Sequence, residues 1–204
     1  MIYSRLSKFL IFEKELFGKF NSEEEYEQAH YNLQIILINI EKLLFVYTFS
    51  FFLSTTLNTF FMHLAYFVLR KYAGGWHAKK SINCTLFSSF SFVAIPWIFN
   101  KINYSFTATT IWLMTITIFL ILILYAPADT EKNPLVSISE RMKMKMKATL
   151  VAVISLLVVF FVNNETIQFN ILSGIILECI TIHPVFYKIT KRSYKNYEKY
   201  ESIE

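Results

Sequence analysis

The stretch INYSFTATTIWLMTITIFLILILYAPA, residues 102–128, contains no Asp, Glu, Lys or Arg. A helix needs about 20 mostly apolar residues to cross the hydrocarbon core of a bilayer. This stretch is long enough, and it lacks the polar alternation that is typical of barrel strands. It therefore predicts a membrane-spanning helix, in which every backbone amide is bonded within its own segment.

Four further segments of the 204-residue chain have the same apolar character. They are residues 43–69, 81–100, 148–164 and 166–187, and only the last contains a charge, that of Glu178. Over the whole chain 54% of the residues are hydrophobic and 17% are charged, which excludes an ordinary soluble domain. We predict an all-α, polytopic transmembrane bundle, formed by a single membrane domain over residues 1–204.

The charged segments between the spans predict the orientation of the chain. Residues 70–80, RKYAGGWHAKK, contain four bases and no acid, and residues 127–147 contain five bases and three acids. By the positive-inside rule both loops are cytoplasmic, as is the Lys-rich tail over residues 188–204. The net charge of +5 is therefore assigned to membrane loops, and no nucleic-acid partner is expected.

Two interpretations exist for the part of the bundle that precedes residue 70. One tilted span over residues 43–69 gives five spans in all. Two short helices over residues 32–69, with a break near Ser54, give six, and we favour six because this segment is long for one helix. The transmembrane bundle then covers residues 32–187, and Glu41 and Lys42 lie inside a span, where they must pair or face the interior.

The N-terminal residues differ from the spans in pattern. Residues 2–20 place apolar side chains near one helical face and bases elsewhere, which predicts an interfacial amphipathic helix. Ser22 and Glu25 have the spacing of a capping box and predict the start of a second short helix. Residues 1–31 are therefore expected at the cytoplasmic membrane interface.

The basic loop at residues 70–80 leads to a candidate nucleophile, Cys84, at the start of an apolar span. A thiol becomes reactive when an imidazolium, another cation or a helix N-terminus stabilises its thiolate. Close in sequence to Cys84 are His77, Lys79 and Lys80. In a purely structural interpretation, the same residues are a histidine in a basic loop and a small cysteine packed in a helix.

The spacing of His77 and Cys84 imposes a condition on this site. Seven residues of continuous helix would separate the two side chains by roughly 10 Å along the axis, so that they would not touch. The segment that carries His77 must therefore fold back, and Gly74-Gly75 permits the backbone shapes that this requires.

A rival pair consists of Cys179 and His183, which are four residues apart. Their spacing suits direct contact, but burial in an apolar span disfavours the charged thiolate. The neighbouring Glu178 is predicted to be a buried polar partner for another helix. Two cysteines are also too few for a disulfide framework.

The segment LRKYAGGWHAKKSINC, residues 69–84, resembles the motif of the accessory gene regulator protein B family. These are membrane peptidases of Gram-positive bacteria that mature quorum-sensing peptides. Arg70, Gly75, His77 and Cys84 match the motif. A second stretch, YAPADTEKNPL at residues 125–135, resembles the Ala-Pro turn of the family.

This resemblance implies a cysteine endopeptidase with a His77–Cys84 dyad, in a multi-pass protein of the bacterial cell membrane with its active site at the cytoplasmic face. The substrate would be a small precursor peptide with an amphipathic leader and an acidic C-terminal tail. An acyl-enzyme thioester would be closed by a Cys or Ser of the peptide into a thiolactone or lactone ring. The resemblance also implies a homodimer and no metal or cofactor, and the supporting or substrate-orienting residues are Arg70, Gly75, Lys79 and Lys80.

The main alternative is a small peptide transporter or export channel without proteolytic activity. It is motivated by the number of spans and by the acidic residue Glu178 within one of them. A membrane scaffold without chemistry is a third possibility.

Overall fold

The computed structural model describes residues 5–9, 22–78, 81–102, 106–131 and 133–201. Its helices are α1 (Glu23–Phe52), α2 (Thr56–Ala73), α3 (Ser81–Ser89), a π-helix (Phe90–Ala94), α4 (Ile95–Lys101), α5 (Ala108–Tyr125), α6 (Ile138–Phe161), α7 (Glu165–Ile182), α8 (Pro184–Ile189) and α9 (Glu198–Glu201). No strand occurs in these parts of the chain, and the predicted all-α bundle is confirmed.

Five helical segments are long and apolar enough to cross a membrane. They are α1, the continuous segment Ile82–Lys101, α5, α6 and α7. Helix α2 has 18 residues, the same length as α5 and α7, but it carries Arg70 and Lys71 in its last turn. It packs against α6 and α7 and completes the bundle as its central helix.

The predicted break near Ser54 is present between α1 and α2. Ser54 adopts a positive φ of 54°, and the N–H of Thr55 donates to the carbonyl of Ser50 at 2.8 Å. The two-helix interpretation of this part of the chain is therefore confirmed. The same break returns the chain antiparallel to α1.

Helix α1 begins where the capping pattern predicts, because the Ser22 hydroxyl accepts a hydrogen bond from the N–H of Glu25 at 3.2 Å. The helix is longer than predicted and runs without interruption to Phe52. Residues 23–52 contain no Gly or Pro that would end it. Residues 5–9 are also helical, and the rest of the interfacial helix predicted over residues 2–20 lies outside the described residues.

The segment from α3 to α4 contains the π-helix in the middle of a span. Pro96 has no N–H to donate to the carbonyl of Phe92 four residues earlier. The Thr59 hydroxyl of α2 donates to that carbonyl at 2.8 Å and replaces the missing donor. Within a bilayer such a replacement is required, because no water is present to satisfy a free carbonyl.

Helices α2 and α7 approach each other closely at Gly174. A methyl group at this position would collide with the Met62 carbonyl and would lie 3.1 Å from Ala65 Cβ. Glycine thus lets the two backbones approach as small residues do in membrane helices. This close contact brings the end of α2, with Arg70, against the last turns of α7.

Candidate active site

The chain between α2 and α3 breaks at the two glycines. Gly74 has a φ of 74° and Gly75 a φ of 121°, both in the region that favours glycine. Helix α2 ends at Ala73, and α3 begins only at Ser81. His77 therefore lies on a loop rather than on a helix continuous with Cys84, and its fold-back onto the Cys84 thiol stays a prediction.

This loop is fastened to a second loop, residues 126–129, by two backbone hydrogen bonds. The N–H of Gly75 donates to the carbonyl of Ala128 at 2.9 Å, and the N–H of Ala128 donates to the carbonyl of Ala73 at 2.8 Å. A side chain at Gly74 would collide with the same Ala128 carbonyl. The stretch that resembles the Ala-Pro turn of the family thus lies directly against the glycine break.

The Arg70 side chain points into the bundle and is hydrogen-bonded to this loop. Its Nη1 lies 3.3 Å from Glu178 Oε2 and donates to the Tyr66 hydroxyl at 2.8 Å and to Thr181 Oγ1 at 3.2 Å. Its Nη2 donates to the carbonyl of Trp76. The guanidinium thus binds the loop residue that precedes His77, and the supporting role of Arg70 stays a prediction.

Glu178 is fully buried and belongs to α7. Its Oε2 accepts from Thr181 Oγ1 at 2.8 Å in addition to its ion pair with Arg70 of α2. The prediction of a buried polar partner for another helix is confirmed. The acidic residue that motivated the export-channel alternative is therefore accounted for by an internal ion pair.

Gly75 leaves no space for a side chain above this ion pair. A methyl group there would lie 2.9 Å from Arg70 Nη1 and 3.2 Å from Thr181 Oγ1. The N–H of the next residue, Trp76, donates to the Thr181 carbonyl at 3.1 Å. The predicted supporting residue Gly75 thus permits close contact between the loop and the end of α7.

Trp76 fixes the loop from its other side. Its indole is buried and packs edge-on against Phe87 of α3 and Phe186 of α8, with ring centroids 5.5 Å and 5.3 Å apart. The next side chain, His77, is exposed. The buried tryptophan thus anchors the segment that presents His77. Lys79 and Lys80, the two predicted supporting cations, lie outside the described residues.

Cys84 lies in the first turn of α3 and is half-buried. The ammonium of Lys42, in α1, lies 3.5 Å from its Sγ and donates to it. The thiol is also close enough to the side chains of Arg70 and Tyr66 to interact electrostatically. Lys42 was not identified from the sequence as part of the site. The one feature that pointed to it was a charged residue inside an apolar segment.

The rival pair is arranged differently. Cys179 is 2% exposed and belongs to the core, whereas α7 ends at Ile182, so that His183 no longer continues the helix. The His183 Nδ1 accepts a hydrogen bond from the N–H of Val185 at 3.3 Å and caps α8. The imidazole therefore has a structural function, and the thiol is enclosed by the bundle.

The 126–129 loop also holds the C-terminal segment. Asp129 is buried, and its carboxylate accepts from the N–H of Asn196 at 2.8 Å and from the N–H of Tyr197 at 2.9 Å. The Tyr187 hydroxyl donates to the Asp129 carbonyl at 3.0 Å. One aspartate thus joins the loop beside the glycine break to the chain after α8.

A cavity of about 250 Å³ opens beside Asp129, between the 126–129 loop, α6 and the C-terminal segment. Its cations are Arg141, Lys145 and Lys195. The Arg141 guanidinium lies over the Tyr197 ring, 3.8 Å from its centroid. In the described part of the chain, no group of three His, Cys, Asp or Glu side chains is arranged to hold a metal ion.

Known proteins resemble this chain over most of its length. The family model "Accessory gene regulator B" matches residues 5–182. A putative AgrB-like protein of Listeria innocua is 40% identical over 184 residues, which cover 89% of this chain and 88% of that protein. The accessory gene regulator protein B of Staphylococcus haemolyticus is 32% identical over 165 residues, 80% of this chain and 85% of that protein.

No solved structure matches the chain. The family model and the similarity to these relatives both extend over most of its length, including the glycine break and the first turn of α3. The chain therefore belongs to the accessory gene regulator B family.

Proposed function

We propose that this chain is a membrane cysteine endopeptidase of accessory gene regulation, in which Cys84 is the nucleophile and His77 the general base and acid. The observation that carries the proposal is the break at Gly74-Gly75, which separates the two residues onto a loop and the following helix. Family membership supports the role in quorum sensing. The substrate is a short precursor peptide that becomes the signal.

The first chemical step cleaves the precursor. His77 takes the thiol proton as the Cys84 sulfur attacks the carbonyl carbon of the scissile peptide bond. The C–N bond breaks, the proton passes from His77 to the leaving amine, and the C-terminal fragment departs. The N-terminal part of the precursor remains bound to Cys84 as a thioester.

The second step closes the ring without consuming water. A Cys thiol or Ser hydroxyl of the bound peptide loses its proton to His77 and attacks the thioester carbonyl. The carbon–sulfur bond to Cys84 breaks, the proton returns to the thiol, and a thiolactone or lactone leaves. The aromatic cluster of Trp76, Phe87 and Phe186 beside the loop is suited to keeping water from the thioester.

The precursor is expected to have an amphipathic leader and an acidic tail. The cavity that Arg141, Lys145 and Lys195 line supports binding of the acidic tail beside the 126–129 loop, which is hydrogen-bonded to the glycine break. The basic loops support a cytoplasmic position for this face. We further propose that the protein acts as a homodimer in the bacterial membrane.

Co-expression with the precursor tests the proposal. A short open reading frame beside this one is expected to encode an amphipathic segment, a Cys or Ser and an acidic tail. Wild-type protein and the Cys179→Ala control should cleave this peptide, and Cys84→Ala and His77→Ala should not, as mass spectrometry of the products would show. Normal processing by Cys84→Ala would overturn the proposal, and export without cleavage would support the transporter alternative.

A further inference from the structure

The side chain of Lys42 contacts the proposed nucleophile. Its Nζ lies 3.5 Å from Cys84 Sγ, although the two residues are 42 positions apart in sequence. Lys42 belongs to α1, one of the five segments apolar enough to cross a membrane. An ionisable group in such a segment is costly and is retained where it faces a partner or a functional site.

The direction of the side chain agrees with this contact. Side chains in a helix point back toward its N-terminus. Lys42 therefore extends toward the cytoplasmic end of α1, where the first turn of α3 presents Cys84. Lys42 is half-buried within this apolar segment, and its ammonium ends at the Cys84 sulfur.

Other charged or titratable groups of the described residues lie near the thiol. Arg70 and Tyr66 of α2 interact with Cys84 electrostatically, and Glu41 precedes Lys42 on α1. Arg70 is bound to Glu178 and to the Trp76 carbonyl, so its charge is largely balanced. Lys42, in contrast, donates a hydrogen bond to the sulfur itself.

We infer that Lys42 is a further residue of the thiol site, which orients the Cys84 sulfur and stabilises its anionic form through a direct ammonium–sulfur contact. A cation beside a cysteine favours the thiolate, and the N-terminus of α3 acts in the same direction. This role rests on the proposed function of Cys84. His77 keeps its proposed role of accepting the thiol proton and passing it to the leaving amine, while Lys42 stabilises the charge that forms on the sulfur.

The test measures the local charge at Cys84 and does not require cleavage. Purified protein with the Cys179→Ala background is labelled at Cys84 by a negatively and a positively charged methanethiosulfonate of similar size. The ratio of the two labelling rates reports the electrostatic potential at the sulfur. Steric access affects both reagents equally and cancels in the ratio. Lys42→Met and Lys42→Gln should each lower the ratio of anionic to cationic rate by roughly tenfold.

Two controls separate this effect from a structural one. Lys42→Arg keeps the charge and should keep the ratio. Lys71→Met removes an exposed cation near the same membrane edge, where the ammonium lies 5.6 Å from the Tyr72 ring centroid, and should also keep it. An unchanged ratio in both neutral variants at position 42 would overturn the inference. If the ratio falls in the neutral variants but the wild-type protein cleaves no precursor, the peptidase function is refuted and the Lys42 contact is supported.

Discussion

Arg70 Nη1 lies 3.3 Å from Glu178 Oε2, in an ion pair that joins the last turn of α2 to α7 across 108 residues of sequence. The glutamate is fully buried, and the same guanidinium binds the Trp76 carbonyl. The pair therefore determines both how two central helices meet and where the loop with His77 begins.

Removing either member of this pair should destabilise the bundle. Arg70→Met or Glu178→Leu leaves the partner charge buried and unpaired, which typically costs about 3–5 kcal/mol. Thermal unfolding in detergent should show a lower midpoint for each variant. The double variant Arg70→Met/Glu178→Leu should recover part of the loss, and a double variant no more stable than the worse single variant would contradict the predicted coupling.

Gly75→Ala should reduce precursor processing more than it reduces the amount of protein in the membrane. The added methyl group would meet Arg70 Nη1 at 2.9 Å in a backbone conformation that alanine resists. The loop must shift, and His77 shifts with it. Leu86→Ala, at a position of α3 that is 61% exposed, is the control and should process normally. Processing by Gly75→Ala at the wild-type rate would show that the loop tolerates displacement.

The two cysteines should react with a neutral maleimide at very different rates. Cys84 is half-buried in a first helical turn, whereas Cys179 is 2% exposed within the core. A buried structural cysteine is inert, so we expect a difference of more than about tenfold in folded protein. Alkylation followed by peptide mass spectrometry would measure it. In denaturant the two rates should converge, and comparable rates in the folded state would contradict the burial of Cys179.

Cysteine accessibility in intact cells should confirm the orientation of the bundle. In a Cys84→Ser/Cys179→Ala background, a membrane-impermeant reagent should label Asn163→Cys, which lies in the exposed turn between α6 and α7. It should label Ser139→Cys, at the other end of α6, only after the membrane is permeabilised. The opposite result would place the basic loops outside and would exclude a cytoplasmic site.

The long uncharged segments predicted the membrane spans, because an apolar stretch of this length is suited to little other than a helix across a bilayer. The break near Ser54 and the break at Gly74-Gly75 could also be predicted, since both depend on local sequence. The contacts of Cys84 with Lys42 and of Arg70 with Glu178 were not, because they join helices that are distant in sequence and depend on packing. The length of α1 was underestimated, because its polar first turns gave no sign that the helix continues without interruption into the apolar segment.

The Asp129 carboxylate binds the backbone of Asn196 and Tyr197, while the neighbouring Ala128 binds the loop that carries His77. The segment after α8 is thereby fastened, through one short loop, to the loop that carries His77. Reporter or affinity fusions are best appended after residue 201, and a chain shortened to residue 190 would lose this attachment while keeping Arg70, Gly75, His77 and Cys84.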